Sequence, residues 1–156
     1  MAKALHNQNR AMKKKAVEYS LKAEKKEFPI AKIYSAEDAV NFARKFYHDD
    51  ISIYESSFIL LMNQANNVTG YAKISQGGIC TTIVDVRLVA KYAIDALAPA
   101  VIFLHNHPSG NTRPSNEDVM LTAKIRDGLK MLDVKLLDSI VITEDSYLSM
   151  SNEGLI

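Results

Sequence analysis

One stretch constrains the chain more than any other: AVIFLHNHPSGNTRPSNEDVMLTAKI, from Ala100 to Ile125. The apolar run Val101 to Leu104 reads as a buried strand. It ends in His105-Asn106-His107-Pro108, where the proline, unable to donate to a sheet ladder, stops the strand. A loop rich in Gly, Asn, Thr and Pro follows, and Ser115-Asn116-Glu117-Asp118 opens a helix with Ser115 as N-cap and Asp118 in its first turn. Residues two apart on a strand share a face, so His105 and His107 can aim both rings at one point while Asn106 faces the other way. Two neutral imidazole nitrogens and one carboxylate oxygen make three ligands and leave a fourth position open. That is the ligand count of a catalytic zinc site, since structural sites are normally closed by four protein ligands. The plainer reading is that the histidines are packed side chains and that Ser115 and Asp118 only cap a helix.

Net charge is +1 but unevenly spread. Before Phe28, eight Lys or Arg face three Glu, a balance of +5, which leaves −4 for the remainder. This segment, 1–29, reads as a basic helical or loosely ordered arm: a solvated leader on the plainer view, a weak nucleic-acid contact on the functional one. Phe28-Pro29-Ile30 breaks it, and the compact domain is expected over 30–156. The lone Cys80 cannot form an internal disulfide and reads as a buried, inert thiol. No apolar stretch approaches a membrane span and no signal-peptide core follows Met1, so no membrane contact and a cytoplasmic location are expected.

Along the domain, Ser35 with Glu37 and Asp38 starts a helix whose Ala39, Val40, Phe42, Ala43, Phe46 and Tyr47 suit one buried face, closed by His48-Asp49-Asp50. Ser57 to Met62 is a strand, with Glu55 just ahead of its apolar part. A carboxylate there is either at the surface or held for a purpose, and metal-assisted hydrolysis needs a base that is not itself a ligand. Asn66-Asn67 turns the chain into a second hairpin strand, Val68 to Ser75, and Gly77-Gly78 leads to a strand over Ile79 to Val84. Val86, Val89, Ala90, Ala93, Ile94 and Leu97 have helical spacing. After the motif, a helix from Asn116 to Met131 presents Val119, Met120, Ala123, Ile125, Leu129 and Leu132. Strands follow over Val134 to Thr143 and Tyr147 to Met150, with Glu144-Asp145 turning between them. This order predicts an α/β fold, a mixed sheet flanked by helices.

The spacing of His-x-His-Pro, then Ser115 and Asp118, resembles the JAMM motif of the JAB1/MPN metalloprotease superfamily. HNHPSG followed by PSxxD, with Leu121-Thr122 in the next turn, is closer still to the RadC family of bacterial proteins. The resemblance covers roughly Ser35 to Ile156 and implies a JAB1/MPN-like fold with a cytidine-deaminase-like layered architecture. It implies Zn²⁺ on His105, His107 and Asp118, and an upstream glutamate base. That glutamate falls on Glu55, ahead of Phe58 and Leu61, with two serines where the family has one residue before the Phe. It further implies hydrolysis of a peptide or isopeptide amide in a peptide or protein substrate. On those roles Glu55 would pass a proton to the leaving amine, and the Ser115 hydroxyl would stabilise the oxyanion. The family's Pro-Arg-Glu reads Val86-Arg87-Leu88 here, and its Asp-His reads Asp138-Ser139. Two other classes stand beside the hydrolase: a DNA-associated protein, in keeping with the family's DNA-repair label, and a metal-binding scaffold without turnover. A zinc deaminase is disfavoured, because its His-x-Glu and Pro-Cys-x-x-Cys are absent.

Overall fold

The computed structural model describes residues 29–47, 49–77 and 83–156. Six strands make one mixed sheet: β1 (Ala31–Lys32), β2 (Ser56–Met62), β3 (Asn67–Gln76), β4 (Ala100–Asn106), β5 (Lys135–Ile142) and β6 (Tyr147–Ser149). Three helices, α1 (Ala36–Ala43), α2 (Val86–Asp95) and α3 (Asn116–Lys130), and a 3-10 turn at Asp49–Ser52 complete it. The strand order is β1-β3-β2-β4-β5-β6. Every neighbouring pair is antiparallel except β4 and β5, which run parallel and are joined through α3.

The two central strands, β2 and β4, are buried along their whole length, as continuous apolar runs require. Alternation then sorts their side chains between two cores. Ala100, Ile102 and Leu104 pack with Phe58, Leu60, Met62, Ile140 and Ile142 beneath α1. Val101 and Phe103 pack with Ile59 and Leu61 against Val89, Ala93, Ile125 and Leu129 of α2 and α3. Each fully buried Leu, Ile or Phe contributes ~1.5–3 kcal/mol of transfer free energy, so both helical layers are held mainly by burial. The same parity puts His105 on the face of α2 and α3, and Asn106 on the face of α1.

Local chemistry sets the helix ends. In α1 the Ser35 hydroxyl accepts from the Asp38 amide while Asp38 Oδ2 accepts from the Ser35 amide, a reciprocal capping box. Phe46 and Tyr47 lie beyond the helix yet remain buried, Phe46 stacking on Tyr71 with ring centroids 4.5 Å apart. Asp85 caps α2 by accepting from the Arg87 amide. That helix closes with Leu97 N–H donating to Ile94 O and Ala98 N–H to Ala93 O, around a left-handed Leu97 (φ 49°).

Several sequence expectations need correction. Ile94 and Leu97 were assigned to the apolar side of α2, but they are 49 % and 86 % exposed. The buried stripe of α2 is Val89 and Ala93, four apart, and the left-handed ending turns Leu97 outward. Met120, expected on the apolar side of α3, is 72 % exposed, and Leu132 is exposed too. The buried positions are Thr122, Ile125 and Leu129, spaced three and four apart, which places Met120 on the opposite side. Of the strand expected over 79–84, Ile83 and Val84 are irregular and the rest lies outside the described residues. The basic arm with its nucleic-acid reading, His48 and Cys80 also lie outside the described residues. Among the described residues, no helix is long and apolar enough to cross a membrane.

Candidate metal centre

The carboxyl end of β4 delivers two imidazoles to one point, and the first turn of α3 brings a carboxylate to meet them. His105 Nε2 and His107 Nε2 are 3.0 Å apart. Asp118 Oδ1 lies 3.2 Å from the first and Oδ2 3.3 Å from the second. A tetrahedral zinc ion with ligands at about 2.0–2.1 Å needs its donors about 3.3 Å apart; the two nitrogens stand close to that edge, and Asp118 turns one oxygen to each imidazole. Deprotonated donors converging this closely repel one another unless a metal cation or a shared proton lies among them, so the donor set fits a divalent metal. Among the described residues this is the one group of three or more His, Cys, Asp or Glu arranged to hold an ion.

Each donor is held by something else. His107 Nδ1 lies 2.8 Å from the Asn111 carbonyl and donates to it, which leaves Nε2 bare in the neutral ring. The loop reaches that position through a turn at Gly110 (φ 80°), where a side chain would be strained. Asp118 is fixed by Ser115, whose amide and hydroxyl both donate to Oδ2 at 2.7 and 2.8 Å, while the hydroxyl accepts from the Asp118 amide. His105 is buried between the strands, and its Nδ1 has no partner among the described residues.

Charge follows geometry. The hydrogen bond that His107 donates to the Asp118 carboxylate raises its pKa against the opposing effect of burial. Burial pushes the Asp118 carboxyl up, but hydrogen bonds from His105 and His107 outweigh it and hold the group well below the usual carboxylate range.

Glu55 immediately precedes β2. Ser57 pairs with His105 at the end of the antiparallel β2–β4 ladder, so Glu55, two residues earlier, lies close to the end of β4 that carries the histidines. Its parity matches Ile59 and Leu61, on the α3 side of the sheet. Burial raises the Glu55 pKa, the two imidazoles pull it back and Asp118 raises it further, so this half-buried carboxyl lies in the field of all three donors.

A model of the RadC-like JAB domain matches residues 33–155. The chain belongs to the RadC-like JAB domain family. Curated relatives agree: it is 40% identical over 126 residues to a UPF0758 protein of Flavobacterium johnsoniae, covering 81% of this chain and 54% of that one. A UPF0758 protein of Porphyromonas gingivalis is 39% identical over 103 residues, 65% of this chain and 45% of its own length. One from Coprothermobacter proteolyticus is 32% identical over 128 residues, 81% and 54% of the two chains. The chain spans about half the length of the curated relatives it matches. The RadC-like JAB fold is metalloprotease-like, in keeping with the mixed sheet and the His-His-Asp group found here.

In this RadC-like domain, two positions differ from the residue patterns expected of the family. Arg87, without a neighbouring glutamate, forks onto Asp85 at 2.6–3.1 Å. Ser139 shares a hydrogen bond of 2.9 Å with Thr122 inside the sheet–α3 interface. Arg113 is exposed in the loop. Asn106 faces away from the donors and finds its partner in Ser56, remote in sequence; a polar residue ending an apolar strand is the one sign of it in the sequence.

Proposed function

We propose that this domain is a zinc-dependent hydrolase of the JAMM type that cleaves a peptide or isopeptide amide. The observation that carries the reading is the convergence of His105, His107 and Asp118 at the end of a central strand, with the Glu55 carboxyl in their field. Zn²⁺ on those three donors would supply Lewis acidity, lowering the pKa of water toward ~7 so that a nucleophile exists near neutral pH. Glu55 is the base: its raised pKa suits it to accept a proton from the attacking water and to return it to the amide nitrogen as the C–N bond breaks. His107 is presented with its Nε2 lone pair inward because the Asn111 carbonyl holds the opposite nitrogen's hydrogen. Ser115 acts first by holding Asp118. For its hydroxyl to stabilise an oxyanion, its one proton would have to leave Asp118 Oδ2.

The test separates metal from turnover. Purified protein is expected to carry close to one equivalent of zinc by mass spectrometry, and His107→Ala to lose it. Glu55→Gln is expected to keep the metal and lose ~10²–10⁴-fold of the hydrolysis measured on a panel of peptide and isopeptide-linked substrates. Zinc-free wild type, or unchanged zinc in His107→Ala, would sink the proposal.

A further inference from the structure

Asn106, between the two histidines, points to the other face of the sheet, where its buried side chain uses both ends of its amide. Oδ1 accepts from the Ser56 amide at 2.7 Å and from the Ser56 hydroxyl at 3.2 Å. Nδ2 donates to the Ile51 carbonyl at 2.6 Å and to the Tyr54 carbonyl at 2.8 Å. Reversing the amide would set oxygen against two carbonyls, so the network fixes its orientation. The residues so gripped lie on both sides of Glu55. Other bonds finish the job: Tyr47 Oη donates to the Ser56 carbonyl, Ser52 Oγ to Glu144 Oε2, and the Gly77 amide to the Glu55 carbonyl. The backbone is thus tied down both before and after Glu55.

We propose that Asn106 is the positioning residue of Glu55, locking the 51–56 segment to the strand that carries both histidines so that carboxylate and metal donors keep one fixed relation. The inference rests on the hydrolase reading for its purpose, and on the four hydrogen bonds for its substance. Only a side chain offering two donors and a two-fold acceptor within this reach completes the grip. Aspartate lacks the donors, and leucine, of similar shape, lacks everything.

Hydrogen exchange by NMR on the metal-free protein tests the grip. In wild type the Asn106 side-chain amide hydrogens are expected to exchange slowly, since both are bonded; fast exchange overturns the proposal. In Asn106→Leu, the amides of Ile53, Tyr54 and Ser56 are expected to exchange about tenfold faster relative to those of Val101 to Leu104. A rise uniform over the sheet overturns it, and Asn106→Ser repeats the measurement should the leucine variant not fold. Co²⁺ supplies the second readout. The visible absorption band of the Co²⁺-loaded protein is expected to shift in the same direction in Asn106→Leu and Glu55→Gln, with the double variant shifted no further than the larger single. A wild-type spectrum in Asn106→Leu, with metal retained, reduces Asn106 to a structural role and overturns the proposal. If wild type binds no Co²⁺, the hydrolase reading falls, while the exchange data still decide whether Asn106 holds the segment.

Discussion

When protonated in the metal-free protein, His107 donates from both ring nitrogens, to the Asn111 carbonyl on one side and the Asp118 carboxylate on the other, and the balance has a sign that pH can read. Its pKa is raised, chiefly by the bond with Asp118, while that of Asp118 is lowered despite burial. In the metal-free protein the His107 contribution to stability is fully present below the unfolded value of about 6.5 and is lost as pH rises through the higher folded value. The Asp118 contribution is present above about 3.9 and is lost as pH falls through the depressed folded value. Metal-free protein is therefore expected to melt at lower temperature as pH rises above about 6.5, and Asp118→Asn to flatten that slope. An unaltered slope in Asp118→Asn would refute the pairing. Zinc binding should run the other way, weakening as pH falls because protons compete for the same nitrogens. This donor set is legible in sequence because two local rules produce it: residues two apart on a strand share a face, and an N-cap serine orients the residue three later. Asn106 is not legible in the same way, because the Ser56 that gives it meaning lies 50 positions away.

At the scale of elements, α2 ends on a residue unsuited to its backbone. Leu97 takes φ 49° with its side chain 86 % exposed, so it bears left-handed strain and gains little burial in return. Leu97→Gly is expected to stabilise the protein by roughly 0.5–1 kcal/mol, the relieved strain exceeding the added chain entropy. Leu97→Val, β-branched at the same φ, should destabilise it; denaturant midpoints at constant slope measure both, and a destabilised glycine variant would contradict the argument. The elements themselves follow periodicity closely: β2, β4, β5 and α3 stand within a residue or two of where the sequence places them. Periodicity falters where a polar side chain joins the core. Thr122 is buried through its bond with Ser139, which shifts the inner face of α3 away from Met120. β1 and the 3-10 turn are too short to carry a period, and they form because the β3 backbone and the Asn106 side chain meet their backbone groups.

For the molecule as a whole, the sheet stands between two helical layers, and the centre lies at its rim, where β4 hands over to α3. A ligand bound only by the native state stabilises it by mass action. On the proposed reading, zinc at a hundredfold excess over its dissociation constant would add about 2.7 kcal/mol, which for a chain of this size would raise Tm by roughly 5–10 °C. Calorimetry with and without chelator should show that rise in wild type and its absence in His105→Ala; equal shifts in both would place the ion elsewhere. The parts of the centre also have different histories along the chain. The three donors share one unbroken strand–loop–helix segment, whereas the Glu55 segment joins them through long-range pairing of β2 with β4 and the hydrogen bonds of the Asn106 side chain. Closing a short span costs less entropy than recruiting a distant one. On the proposed reading, the ion-holding segment can assemble locally, and the carboxylate that would carry the proton joins it only once those distant strands have met.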